Sequence, residues 1–370
     1  MTDFQIEIQL VALVVAAACA LPGTFLILRQ MAMMSDAISH AILPGIVVAF
    51  FLTGSLSSPL LIVGAALTGV VTVALVEVVT RTRLVKEDAA IGLVFPALFS
   101  IGVILIGRYA GDVHLDIDAV LLGELALAPF DRWTVGSMDM GPRALWVMGT
   151  VAVLNVTFLL VFYKELKLAT FDAALAATLG FMPAALHYGL MTLVSVTAVA
   201  AFDAVGSILV VALMVGPPAA AHLLTDKLDR MMILGVGIGT TGAVAGYWLA
   251  HILDASIAGA MATVVGLLFG LAFLFAPHRG VIAVRRRRNR QRWSFAQKML
   301  TIHLHQHEGL PEAEWESRID HLQEHLQWSA AFAERVVAQS LKKALVVRTN
   351  GKLELTSTGR RLARETVVGN

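Results

Sequence analysis

Two residues with metal-binding side chains, Asp36 and His40, lie one helical turn apart in an otherwise apolar stretch. Residues four apart share one face of a helix, so the carboxylate and the imidazole would face the same way, with Ser39 beside them. These ligand types suit Mn²⁺, Fe²⁺ or Zn²⁺. Two ligands are too few for a tight site, whereas a symmetric dimer would bring four, so the pair predicts transient binding along a pathway. The alternative is a capping Asp36 with a His40 that bonds to a neighbouring helix.

A second polar cluster follows later in the chain, in a long loop. His114, Asp116 and Asp118 alternate with apolar residues, and Glu124 comes soon after. On the residues alone this is an ordinary solvated acidic loop. Six further ionisable residues lie near the ends of apolar stretches, where placement at the membrane interface explains them: Glu77, His187, Asp203, His222, His251 and Asp254.

The amino-acid composition is that of a membrane protein. Hydrophobic residues make up 57% of the 370-residue chain and charged residues only 15%, against about 45–50% and about 25% in soluble domains. This excludes a purely soluble enzyme and a disordered chain.

The sequence motifs do not indicate an enzyme. The chain has no Walker motif, nucleophile elbow or H-E-x-x-H sequence, and the single Cys19 excludes an internal disulfide framework. We therefore expect no enzymatic activity in this chain.

Nine apolar stretches are long enough to cross a bilayer, which takes roughly 20 residues of helix. The fold class predicted is an all-α polytopic membrane protein with about nine spanning helices. The predicted spans are 7–28, 37–53, 59–80, 90–107, 143–163, 186–203, 205–224, 231–253 and 256–276.

The basic residues predict the orientation, because cytoplasmic loops are enriched in Lys and Arg. With nine spans, most of the basic loops fall on one face, which is therefore cytoplasmic: Arg29, Arg81 to Lys86, Lys164 and Lys167, Lys227 and Arg230, and Arg285 to Arg288. The N-terminus is then outside and the C-terminus in the cytoplasm. The loop at about 108–142 is outside, and its apolar middle, 120–129, is predicted to re-enter the protein.

Several separated motifs resemble the permeases of the metal-ion ABC importers, the manganese, zinc and iron type. The resemblance covers about residues 1–280. It is carried by the segments 28–45, 118–124, 171–180, 202–228 and 254–262, the last being more similar to the manganese and iron branch.

This resemblance implies a division of labour. Two permease protomers, identical or paralogous, form the path, a separate ABC ATPase drives it, and an extracytoplasmic binding protein delivers the metal. Asp36 and His40 would coordinate the transported ion, Mn²⁺ or Fe²⁺ in preference to Zn²⁺, with Asp118 and Glu124 as weaker counterparts. No permanently bound cofactor is implied. The expected location is the inner membrane of a bacterium.

The resemblance also implies a coupling helix that docks into the ATPase. The segment 171–180 matches it, with Phe171, Asp172, Ala176, Leu179 and Gly180 as the residues expected to couple. The charge distribution independently places this segment in the cytoplasm.

The last part of the chain turns soluble and basic. Residues 1–280 carry 12 basic and 18 acidic residues, net −6, whereas 281–370 carry 16 and 9, net +7. We predict a permease domain at 1–280, a basic juxtamembrane linker at 281–293 and a small α+β domain at 294–370. Helices at 295–308, 312–327 and 329–345, an Asn-Gly hairpin at 346–356 and a helix at 358–365 resemble a winged helix.

Three roles for this tail stay open: DNA binding through basic residues such as Lys342 and Arg348, metal sensing through its five histidines, or packing on the ATPase. We favour a regulatory or docking module and do not expect nucleic acid as a partner, because the tail is tethered to the membrane. Two rival functions for the whole chain are a permease for a metal chelate and a membrane-tethered metal-responsive regulator.

Overall fold

Helices account for most of the chain. The computed structural model describes residues 2–54, 58, 60–109, 125–135, 138–349 and 351–368. The chain divides into two compact units, 1–280 and 281–370. In the first unit the helices are α1 (Asp3–Leu28), α2 (Met34–Ala41), α3 (Leu43–Thr53), α4 (Leu60–Arg81), α5 (Glu87–Tyr109), α6 (Arg143–Val161), α7 (Tyr163–Phe171), α8 (Ala173–Thr178), α9 (Pro183–Val205), α10 (Ser207–Leu224), α11 (Leu228–Leu253) and α12 (Ile257–Phe275).

Nine helical stretches among the described residues are long and apolar enough to cross a membrane, which confirms the predicted number. The first begins four residues earlier than predicted, at Asp3, because Thr2 caps it and shares a capping box with Gln5. The second stretch, Met34–Thr53, consists of the two helices α2 and α3, and the break between them was not predicted.

Helix α1 lies at the centre of the first unit. It packs against α6, α9, α10 and α11, and its residues Val11, Val15 and Phe25 are fully buried. Helix α2 packs against α4, α5, α9 and α10, while α3 packs against α4 and α5. The short helix that carries Asp36 and His40 is therefore held by four spanning helices.

Glycines bring two helix pairs unusually close. A Cβ on Gly45 of α3 would lie 2.2 Å from the Gly64 carbonyl oxygen of α4. A Cβ on Gly246 of α11 would lie 2.3 Å from the Met261 Cα of α12. Small residues at such contacts let helix backbones approach closely in a membrane.

The loop predicted to lie outside the membrane contains a hairpin that the sequence pattern did not indicate. Strands β1 (Arg132–Val135) and β2 (Met138–Pro142) pair antiparallel. Arg132 binds Asp139 across the hairpin at 2.5 Å and reaches Glu7 of α1 at 3.1 Å. Of the segment predicted to re-enter the protein, only 125–129 is described: Leu125–Leu127 is a 3₁₀ turn, and Leu125 and Ala128 are buried.

The second unit has its own small core. Its elements are α13 (Val281–Gln306), α14 (Ala313–Glu316), α15 (Ile319–His325), α16 (Ala330–Lys342), β3 (Val346–Thr349), β4 (Lys352–Leu355) and α17 (Ser357–Val368). Leu300, Leu322, Val336 and Leu353 meet in that core. The basic segment 281–293 is part of helix α13, and the predicted helix 312–327 is two helices, α14 and α15. Asn350 of the predicted turn lies outside the described residues, and Gly351 has a φ of +81°.

Candidate functional site

The break between α2 and α3 follows from Pro44. Proline has no backbone N–H, so it cannot donate the helical hydrogen bond to the carbonyl four residues earlier, which is that of His40. Helix α2 ends at Ala41, and Pro44 lies in the first turn of α3. The chain therefore changes helix within one turn of His40.

Asp36 and His40 lie together on α2, as the spacing predicts. Asp36 Oδ1 is 3.4 Å from His40 Nε2, and the two side chains are 37% and 35% exposed. Asp36 lies in the first turn of the helix, where the helix dipole favours a carboxylate. The pair thus offers a carboxylate and an imidazole that remain accessible for an ion.

The opposite face of α2 is closed. Met34 and Ile38 are fully buried against the neighbouring helices. Ser39, expected beside the pair, is buried as well, and its hydroxyl donates to the Ser35 carbonyl at 2.9 Å. Ser39 is therefore not a free ligand. The His40 ring faces Phe95 of α5, with the ring centroids 6.0 Å apart.

The other predicted path residues, Asp118 and Glu124, lie outside the described residues, as do His114 and Asp116. Among the residues that the structure describes, no third carboxylate, histidine or cysteine joins Asp36 and His40. The described groups of three or more such side chains all lie in the second unit.

Arg29 joins three elements just before α2. Its Nε donates to Thr170 Oγ1 of α7 at 3.2 Å, and its Nη1 lies 3.0 Å from His187 Nδ1 of α9. Since a guanidinium only donates, His187 accepts through Nδ1. Burial lowers the pKa of Arg29, yet a guanidinium remains protonated at neutral pH. The sequence pattern predicted only that Arg29 lies on the cytoplasmic side and did not indicate these contacts.

The predicted coupling segment forms a helix, a tight corner and an apolar surface. Phe171 ends α7 and is 63% exposed. Asp172 caps α8, since its carboxylate accepts from the Leu175 N–H at 2.9 Å. Ala176 is fully buried, Leu179 is 60% exposed, and Gly180 has a φ of +87°, a backbone conformation that glycine adopts without strain. Ala176 packs α8 against the rest of the unit, whereas the apolar side chains of Phe171 and Leu179 remain exposed.

The six ionisable residues near span ends have local explanations. Glu77 accepts hydrogen bonds from Tyr188 and from Arg81, the latter at 2.7 Å. His222 lies 2.9 Å from Arg279, and His251 stacks near Tyr247. His187 is held by Arg29, while Asp203 and Asp254 are exposed.

One buried polar residue was missed in the sequence. Asn155 of α6 is fully buried and donates to the Ala18 carbonyl of α1 at 2.9 Å and to Thr197 Oγ1 of α9 at 3.0 Å. It therefore joins three spanning helices. The available signal was a lone amide within the apolar run of residues 151–161, where polar side chains commonly bond between helices.

Comparison with known proteins gives a family match over most of the first unit. Residues 1–276 match the model of the ABC 3 transport family. A solved structure titled "PsaBC from Streptococcus pneumoniae in complex with Fab" contains a similar chain, with a TM-score of 0.63 and 27% sequence identity. The similarity covers 77% of this chain and 96% of that one.

Two relatives differ in how much of this chain they match. The zinc transport system membrane protein TroD of Treponema pallidum is 47% identical over 358 residues, 97% of each chain. The manganese transport system membrane protein MntD of Bacillus subtilis is 49% identical over 285 residues, which is 77% of this chain and 96% of that one. The match to TroD is long enough to include most of the second unit.

Proposed function

This chain belongs to the ABC 3 transport family, and we propose that it is the membrane permease of an ABC-type importer whose cargo is Mn²⁺, Fe²⁺ or Zn²⁺. Relatives of this chain carry zinc, manganese and iron in their names. The nine candidate spans give the chain the body of a multi-pass membrane protein.

The observation that carries the proposal is the Asp36–His40 pair. It presents a carboxylate and an imidazole on one face of a short helix that four spanning helices hold in place. Each side chain is about one third exposed, so the pair is open to a partner surface. A second protomer would supply a second pair, which brings the number of ligands to four.

Transport then follows because the two Asp36–His40 pairs, one from each protomer, hold the same ion. An ion held between protomers is bound tightly while the pairs face each other and weakly once they separate. A ligand shifts a conformational equilibrium only through such a difference in affinity. An extracytoplasmic binding protein would deliver the ion, and a separate ATPase would supply the work.

The apolar surface of Phe171 and Leu179 is where we propose that the ATPase docks. Both side chains are exposed, while Asp172 and Gly180 fix the corner around α8. Arg29 contacts Thr170, one residue before this surface, and lies five residues before α2 begins. This contact offers a short route from the docking surface to the metal-binding helix.

The distribution of basic residues supports an inner-membrane location with the N-terminus outside and the C-terminus in the cytoplasm. We propose that residues 294–370 form a winged-helix-like module with a regulatory or docking role. Three helices, a hairpin and a closing helix follow one another there in that order once α14 and α15 are taken as one interrupted helix. Nucleic acid is not part of this proposal.

Competition during uptake tests the cargo. Cells that express the permease with its ATPase and binding protein should accumulate radioactive Mn²⁺ or Zn²⁺, and an excess of the same free ion should suppress the signal. An excess of metal already bound by a siderophore-type chelator should leave uptake unchanged. Suppression by the chelate and not by the free ion would instead identify a chelate permease.

A further inference from the structure

Five potential metal ligands converge in the second unit. They come from three consecutive helices and the turn after the first: His303 from α13, His307 just beyond it, Glu316 from α14, and His321 and His325 from α15. The sequence shows two pairs of histidines at a spacing of four residues. Glu316 stands between them in the chain and also between them in space.

Glu316 is the centre of the cluster. Its Oε2 lies 3.3 Å from His303 Nε2 and 2.9 Å from His321 Nε2. Two sets of three ligand atoms, one from each residue, lie within 4.8 Å of one another: His303, His307 and Glu316, and Glu316, His321 and His325. Glu316 belongs to both sets. The ring centroids of His303 and His325 are 5.1 Å apart, which connects the two sets directly.

Several polar atoms of this cluster are buried and poorly satisfied, although His325 itself is exposed. Glu316 is only 9% exposed, and the side chain of His303 only 6%. Glu316 Oε2, both ring nitrogens of His321 and Nδ1 of His307 are buried with no hydrogen-bond partner. The 2.9 Å approach of His321 to Glu316 thus lacks hydrogen-bond geometry. Buried polar groups normally have partners, and an unsatisfied one costs about 1–3 kcal/mol, so the arrangement requires an explanation.

We propose that the second unit contains a divalent-cation site, formed by Glu316 and three of the four histidines His303, His307, His321 and His325, that prefers Zn²⁺ to Mn²⁺. Imidazole-rich sites suit zinc, whereas manganese favours oxygen ligands. A tetrahedral zinc with bonds of about 2.0–2.1 Å holds its ligand atoms roughly 3.3 Å apart. The two contacts of Glu316 already lie near that separation, so small side-chain rotations complete the site. Its occupation would tie α13, α14 and α15 together. The site is independent of the proposed transport path.

His305 provides a matched control. It lies on the same helix as His303, but its Nδ1 faces Glu308 at 3.3 Å and it belongs to neither ligand set. A general affinity of surface histidines for zinc would therefore depend on His305 as much as on His321 and His325.

Zinc titration of the full-length chain in detergent tests the site. Asp36→Ala and His40→Ala are combined in every sample, so that the proposed transport ligands do not contribute. We expect the double variant His321→Gln, His325→Gln to bind zinc more than about 10-fold more weakly, since even indirect supports of a metal ligand are worth 10–100-fold. His305→Gln should leave the affinity unchanged. Equal affinities in all three chains, or an equal loss in His305→Gln, would overturn the proposal.

Cobalt spectroscopy keeps the test decisive if the double variant does not fold. In the chain with an unaltered tail, bound Co²⁺ should give the intense visible absorption of a four-coordinate site, and added Zn²⁺ should abolish it. Excess Mn²⁺ should not. A weak spectrum typical of six-coordinate cobalt would contradict the site, and displacement by Mn²⁺ as efficient as by Zn²⁺ would contradict its preference.

Discussion

Asp36 and His40 act as a pair because helix α2 presents them on one face and the opposite face is buried. Their 3.4 Å separation is close enough for one ion to contact both. The buried Met34 and Ile38 hold the helix in place, so the pair cannot turn away without exposing the core. If the pair binds the ion as proposed, both residues are necessary and neither is sufficient.

Removal of either ligand should therefore stop transport without unfolding the protein. We expect Asp36→Ala and His40→Ala each to lower metal uptake by more than about 10-fold, a loss at least as large as that for a residue that only supports a metal ligand. Radioactive Mn²⁺ and Zn²⁺ uptake in cells measures this effect. Because both side chains are partly exposed, the amount of permease in the membrane should be unchanged.

The controls are a carboxylate and a histidine from other spans, Asp203→Asn and His251→Gln. Both lie outside the pair and should transport normally. Normal uptake by Asp36→Ala and His40→Ala would remove the assignment of the path, whatever the controls do.

The sequence was enough to predict that Asp36 and His40 share one helical face. It was not enough to predict which residues hold the surrounding helices together. Asn155 joins α1, α6 and α9 through bonds to partners far away in the chain. Arg29 likewise finds Thr170 and His187 more than 140 positions further on. Such contacts depend on how helices pack, and local residue patterns carry no information about that.

Among the helices, the long apolar ones were predicted best. Hydropathy predicted the nine spans found among the described residues, because a helix of about 20 consecutive apolar residues matches the thickness of the bilayer and is rare in soluble domains. The break at Ile42 was missed although Pro44 indicates it, because the stretch Met34–Thr53 as a whole is long and apolar enough for a single span. The hairpin β1–β2 was missed because its stability depends on Arg132, which bonds to Asp139 and Glu7.

The corner around α8 leads to a prediction about the ATPase. Phe171→Ala and Leu179→Ala should each weaken association with the ATPase subunit by on the order of 10-fold, equivalent to about 1.4 kcal/mol, because each removes an exposed apolar anchor. Co-purification of the two subunits in detergent measures the loss. Metal binding by the permease alone should not change.

Leu84→Ala is the matched control for this surface. Leu84 is 87% exposed in a different connection, which the charge distribution also assigns to the cytoplasm. Its replacement should leave the complex intact. Weakening of the complex by Leu84→Ala to the same extent, or none by Phe171→Ala and Leu179→Ala, would place the docking surface elsewhere.

The chain as a whole combines two units of different character, an apolar body and a charged, basic tail. The division at Gly280 coincides with the change in charge along the sequence. The family match ends at residue 276, whereas the match to TroD extends over 97% of the chain. The tail is thus shared with some relatives and is separable from the body that defines the family.

In the tail, the sequence predicted only part of the histidine cluster. The two histidine pairs were visible at their spacing of four residues, but the position of Glu316 between them depends on the break between α14 and α15. That break accompanies a bridge from Arg318 to Lys352 of β4 and a hydrogen bond from the Leu353 N–H to the Ser317 carbonyl. The histidines were candidates from the sequence alone, whereas Glu316 joins them only through these tertiary contacts.

The central claim is that this chain moves a divalent metal ion with work supplied by a separate ATPase. The most direct test is accumulation of radioactive Mn²⁺ or Zn²⁺ by vesicles that contain the permease and are supplied with the binding protein on their outer side, with the ATPase subunit and ATP either present or omitted. We predict accumulation above the external concentration only when permease, ATPase and ATP are all present. Accumulation of the same size without the ATPase would contradict the account.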